Sequence, residues 1–178
     1  RESSVSSTES ETVVAMKANH PDRPLLIEDR ATFEHGTGLI KHEVWATNTS
    51  KESETFQLRL NGRGGGISFS RGEMYVPLSG GVVKEYLGNF YNAYPAVTSE
   101  PSDYSEGWVA SEFSSKVVGQ FWDMDSVEEF RLGYGQMALI GFPMVTLEPG
   151  ETRRLSQIWF VLGVQDWTDV QRLWKAHI

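Results

Sequence analysis

Asp123-Met124-Asp125, followed by Glu128 and Glu129, puts four carboxylates within seven residues. Hard oxygen donors gathered on a turn can hold calcium. The EF-hand spacing and its glycine are missing, so the plainer reading is a solvated acidic turn between a strand ending at Trp122 and one starting near Val127. His35 and His42 flank Gly36-Thr37-Gly38, with Glu34 and Glu43 beside them. If these side chains converge, they could ligate zinc or work as an acid and base pair, as His and Glu do in sugar mutarotation. Strand alternation argues otherwise, because it sets His42 on one face with Asn48, which reads as the solvated face. Gly62-Arg63-Gly64-Gly65-Gly66 has the glycine content of a phosphate loop, but no Lys-Ser/Thr pair follows and Ile67–Ser70 reads as a strand. A flexible hairpin tip accounts for it. Gly-x-Ser-x-Gly is absent, and no ordered Ser/His/Asp set stands out.

The remaining group is aromatic: Tyr86, Phe90, Tyr91, Tyr94, Tyr104 and Trp108. Ring faces of this kind stack on sugars or on a partner's apolar residues, and loops between strands are a usual place for them. The plainer alternative puts Tyr86 and Trp108 in strands and core and uses the other rings to pin a long loop. These six residues are the expected ligand-binding set. No catalytic residue, metal or cofactor is expected.

The elements that must position them are mostly strands. Short alternating or β-branched runs occur at 12–17, 25–35, 39–48, 54–61, 67–70, 74–77 and 82–87, and again at 108–113, 117–122, 127–132, 136–145 and 153–162. Runs at that spacing, broken by Gly, Asn, Ser and Pro, predict an all-β antiparallel sandwich of roughly 10–12 strands. Ile40 to Asn48 and Thr55 to Leu60 change polarity at nearly every step, so each has one buried face. Residues 88–107 follow neither period, and a loop of that length is often functional. One helix closes the chain at about 166–177. Asp166 can cap it, Asp169 suits its first turn, and Trp167, Val170, Leu173 and Trp174 make an apolar stripe. It is expected on the edge or bottom of the sandwich. Residues 1–10, rich in Ser, Thr and Glu, read as a flexible linker or tail, and 11–178 as a single domain.

Composition narrows the function classes. Across 178 residues, 39% hydrophobic and 12% aromatic content with six tryptophans marks a packed globular chain. A net charge of −8 argues against a nucleic-acid partner. No run approaches the about 20 apolar residues of a membrane helix, so membrane insertion is not expected. The lack of cysteine excludes disulfides and thiol catalysis. Asn48-Thr49-Ser50 matches a glycosylation sequon. The chain starts at Arg1 and stops just after the helix, as a piece excised from a longer protein would.

Thr146-Leu147-Glu148-Pro149-Gly150-Glu151-Thr152 is the most telling stretch. Pro149 fixes φ and Gly150 tolerates positive φ, so the pair predicts a tight reversal between the flanking strands. This pattern, and the alternating strand that ends in Asn48-Thr49-Ser50, resemble immunoglobulin-like and related β-sandwich modules of large extracellular proteins. The strand number is similar to that of the larger, galactose mutarotase-like sandwiches, which adjoin catalytic domains in many glycoside-processing enzymes. The resemblance implies a non-catalytic structural or interaction module of a larger exported protein. Neighbouring domains of the parent chain would be its partners, and its location extracellular or at the cell surface. The alternative it implies is a carbohydrate-binding or mutarotase-like sandwich domain, with carbohydrate as the partner.

Overall fold

Alternation in 25–34 and 39–48 is realised as β3 (Leu25–Glu34) and β4 (Leu39–Asn48), joined by a turn in which Gly36 and Gly38 both take positive φ. The computed structural model describes residues 1–60, 73–86, 104–113, 115–133 and 136–178, apart from the side chains of 85, 86, 113 and 130–139. The expected strand at Ile67–Ser70 and the glycine run before it lie outside these residues. The chain is an all-β antiparallel sandwich with one C-terminal helix. Every strand pair with a described register is antiparallel. It resolves into two compact units, Arg1–Leu58 with Pro143–Trp159, and Arg59–Phe142 with Phe160–Ile178.

The first unit holds the meander β1 (Glu2–Ser7), β2 (Glu11–Asn19), β3 and β4, continued in sheet order by β12 (Thr152–Val164). The second layer comes from β5 (Glu54–Leu60) beside β11 (Gln136–Leu147). Leu25, Ala46, Phe56 and Leu147 form the core, with Ile27, Val145 and Leu155 packed against it. Residues 1–10, expected as a tail, instead contain β1, fully exposed yet paired along its length with β2. An edge strand can be held by main-chain hydrogen bonds alone, so its side chains need carry no apolar signal.

The turn after β11 forms as expected. Gly150 takes φ +75, Glu151 N–H donates to Glu148 O at 2.9 Å, and Gly150 N–H donates to Asn48 O at 2.9 Å. The main-chain N–H of Glu148 and then the Arg153 guanidinium hold the Glu151 carboxyl below the ordinary carboxylate range.

Asn48 corrects one expectation. It shares its face of β4 with Val44 and Ala46, 3% and 1% exposed, and is itself 0% exposed, so this is the core face rather than the solvated one. Lys41, Glu43, Trp45 and Thr47 point the other way. A polar residue tolerates that position when its hydrogen bonds are met. Asn48 Nδ2 donates to Glu52 O at 2.7 Å and Leu147 O at 2.9 Å, and Oδ1 accepts from Ser50 N–H at 2.9 Å.

In the second unit the sheet order from β12 is β9 (Lys116–Trp122), β8 (Trp108–Phe113), β6 (Glu73–Leu78) and β7 (Gly81–Tyr86). β10 (Glu129–Gly133) pairs with β11. The helix α1 (Trp167–His177) begins where Asp166 accepts from Thr168 N–H at 2.9 Å, and carries Asp169 in its first turn and Lys175 and His177 in its last. It lies on the face of β8 and β9 and not at an edge. Gly119 explains the seat, because a Cβ there would come within 2.6 Å of both Val170 methyl groups. Gly119→Ala is therefore expected to lift α1 and cost about 2 kcal/mol, read as a lower urea midpoint. An unchanged midpoint would show that α1 is not seated by this contact.

Candidate functional site

Of the six aromatics singled out, Phe90, Tyr91 and Tyr94 lie outside the described residues. Tyr86 ends β7, its main chain opposite Glu73. Tyr104 is 4% exposed and bridges to Leu78, and Trp108 is 0% exposed at the start of β8. Tyr104 and Gly107, in the described end of the 88–107 segment, are thus buried, while Ser105 between them is exposed. Ser105 N–H donates to Pro77 O at 3.0 Å, and Trp122 N–H donates to Gly107 O at 2.8 Å. Gly107 permits this approach, since a Cβ there would fall 2.4 Å from Trp122 O.

A layered aromatic stack covers this place. Trp167 lies 5.6 Å from Trp108 and 5.9 Å from Tyr75, nearly parallel to both. Below the stack, Glu106 Oε2 accepts from Trp108 Nε1 at 2.5 Å and Gln171 Nε2 at 2.6 Å, and Oε1 lies 3.8 Å from Lys175 Nζ. One carboxylate therefore fixes the base of β8 to α1. Tyr75 donates to Glu112 Oε2 at 3.0 Å, and burial is the main cause that pushes its phenol above the ordinary range. Lys84 sits over the Tyr75 ring and 2.6 Å from Glu73, whose carboxylate, followed by the Tyr75 hydroxyl, raises the ammonium pKa. On the opposite face of β8 and β9, Ser111 pairs in register with Val118 and Gln120 with Val109, so the two polar side chains are diagonal neighbours. They are 1% and 2% exposed, and Ser111 Oγ and Gln120 Oε1 have no hydrogen-bond partner among the described residues.

The histidines stay apart. His35 Nε2 lies 2.9 Å from Thr12 Oγ1 and its Nδ1 3.1 Å from Glu9 O. His42 Nε2 lies 2.7 Å from Asp29 Oδ1. Glu43 faces Lys41 and Arg154, at 3.7 and 3.2 Å. The acidic cluster is dispersed too: Asp123 caps a 3-10 turn over Met124–Ser126 by accepting from Asp125 N–H at 3.0 Å, while Glu129 meets Arg59 at 3.3 Å. Among the described residues no three His, Asp or Glu side chains group as a metal site.

Sequence reading missed the Asp29–His42 pair, although the turn that contains Gly36 and Gly38 sets Ala31 opposite His42 and so Asp29 on its diagonal. Asp29 also lines a cavity of about 460 Å³ with Ser3, Met16, Ala18 and Ile27. Its volume suits a small ligand, and charged side chains of both signs, Arg1, Glu2, Lys17 and Asp29, rim its apolar floor.

No protein-family model matches the chain, and no curated protein matches it in sequence. Solved structures do match its fold. The GH36 alpha-galactosidase AgaA from Geobacillus stearothermophilus is similar over 88% of this chain and 24% of its own, at 11% identity and a TM-score of 0.55. An alpha-galactosidase from Lactobacillus brevis is similar over 89% and 24%, at 11% identity and 0.55. A TPR-domain containing protein from Parabacteroides distasonis is similar over 90% and 34%, at 11% identity and 0.55. The chain spans about a quarter of the length of the two galactosidases. At such identities the likeness establishes the fold: a β-sandwich that occurs as one part of longer proteins.

Proposed function

We infer that the chain is a non-catalytic sandwich module of a multidomain glycoside-processing enzyme, exported with its parent and working through contacts with neighbouring domains. The observation that carries this reading is the match of nearly the whole chain to a minor part of two alpha-galactosidases. The placement of the charged groups supports it. Glu28, Glu43, Glu73, Glu106 and Glu129 each face a cation, so these carboxylates are committed to structure. The second reading is carbohydrate binding through the rings of the 88–107 segment; Ser111 and Gln120, 1% and 2% exposed, are closed to a sugar.

Three assays on the purified chain separate the readings: hydrolysis of an aryl alpha-galactoside, mutarotation of galactose, and a glycan array. The module reading expects no turnover and a blank array from a folded chain. Turnover that falls in His42→Ala would overturn it in favour of an enzyme. Array binding lost in Tyr91→Ala and Tyr94→Ala would establish the carbohydrate reading instead.

A further inference from the structure

β1 leaves one side of its main chain open. Thr8 N–H donates to Glu11 O at 2.8 Å across the β1–β2 hairpin. The alternation of an antiparallel ladder then turns the N–H and C=O groups of Ser6 and Ser4 toward β2, and those of Ser3, Val5 and Ser7 outward. Soluble proteins commonly blunt such an edge with lysine, proline or a bulge. β1 has none of these: it pairs with β2 in unbroken register from Glu2↔Lys17 to Ser7↔Thr12, and all six of its residues are exposed.

We propose that this edge pairs with β1 of a second copy of the chain, antiparallel about a two-fold axis at Val5. The residues themselves select the register. With Val5 opposite Val5 of the second copy, Ser3 meets Ser7, Ser4 meets Ser6 and Glu2 meets Thr8. Arg1 then comes opposite Glu9 at the hairpin tip, twice by symmetry, and no like charges oppose. A shift of two residues either way is the smallest that keeps outward groups facing each other, and it separates the valines. In the selected register about six main-chain hydrogen bonds form across the axis. Val5, 70% exposed, lies opposite Val14 of β2, with Met16, 55% exposed, further along the same face. Pairing therefore joins two half-exposed apolar rows into one and removes part of each from water.

Sedimentation of the purified chain over a concentration series tests this, with circular dichroism to check folding. A monomer–dimer equilibrium is expected. Val5→Pro removes an outward donor while leaving the donors that face β2, and should weaken the dimer about tenfold. Glu9→Arg should weaken it about threefold, and adding Arg1→Glu should restore it. The charge exchange touches only exposed ends, so it decides the matter even if Val5→Pro disturbs β1. A chain that stays monomeric throughout overturns the proposal, as does a dimer indifferent to both Val5→Pro and the charge reversal, which would associate through another surface.

Discussion

Trp108→Ala is expected to lower stability by about 4 kcal/mol, the range found when a large buried aromatic is truncated. For a chain of this size that is a fall of about 10 °C in Tm. The loss has two physical parts. A ring that is 0% exposed leaves a cavity under Trp167, and Glu106 loses the Nε1–H it accepts at 2.5 Å. Trp108→Phe separates them in part, because it keeps a six-membered ring in the site and removes the donor with a smaller loss of volume. It should cost about 2 kcal/mol, as expected for a hydrogen bond to a charged group. Denaturant unfolding of both variants measures the difference. Unchanged stability in Trp108→Ala would mean that the ring does not hold α1, and would return Trp108 to the role of a ligand contact.

The sandwich was legible because its strands obey two simple signals. Leu39 to Asn48 and Glu54 to Leu60 alternate in polarity, and Pro149-Gly150 marks its reversal by conformational need. The helix declared itself through Asp166 and the stripe from Trp167 to Trp174. What stayed hidden depends on pairing between distant residues. Polarity alone assigned Asn48 and His42 to water, whereas Val44 and Ala46 on the same face pull both inward and the partners Leu147, Glu52 and Asp29 make that tolerable. β1 was hidden for the opposite reason, since an exposed edge strand needs no apolar pattern. The seat of α1 depends on Gly119, a missing side chain that reads in sequence only as an interruption of a strand. The aromatic set was the least legible. A Trp that opens a strand and a Tyr in the approach to it look alike whether they fill a core or meet a ligand.

Asn48→Ala should be nearly as costly as loss of the Trp108 ring, about 3 kcal/mol, although it removes few atoms. Leu147 O would lose the donor it receives from Nδ2, and Ser50 N–H would lose its acceptor, at a residue 0% exposed. A buried group left without a partner costs about 1–3 kcal/mol. Asn48→Asp sharpens the test. Its carboxylate would face the oxygens of Leu147 and Glu52, so burial and repulsion raise its folded pKa. A group with a raised folded pKa binds a proton more readily in the native state, so the variant's deficit should shrink as pH falls from 7 toward 5. The lowered pKa of Glu151 acts in the opposite sense: it adds stability above its unfolded value and loses it as pH falls through the folded one. The two limbs can therefore be told apart by unfolding at several pH values, and a deficit that is constant or grows toward pH 5 would contradict this role for Asn48. The same geometry bears on the Asn48-Thr49-Ser50 sequon. A glycan would replace a hydrogen that Nδ2 already donates in the core, so in a glycosylating host the folded fraction should carry no sugar at Asn48 by mass spectrometry.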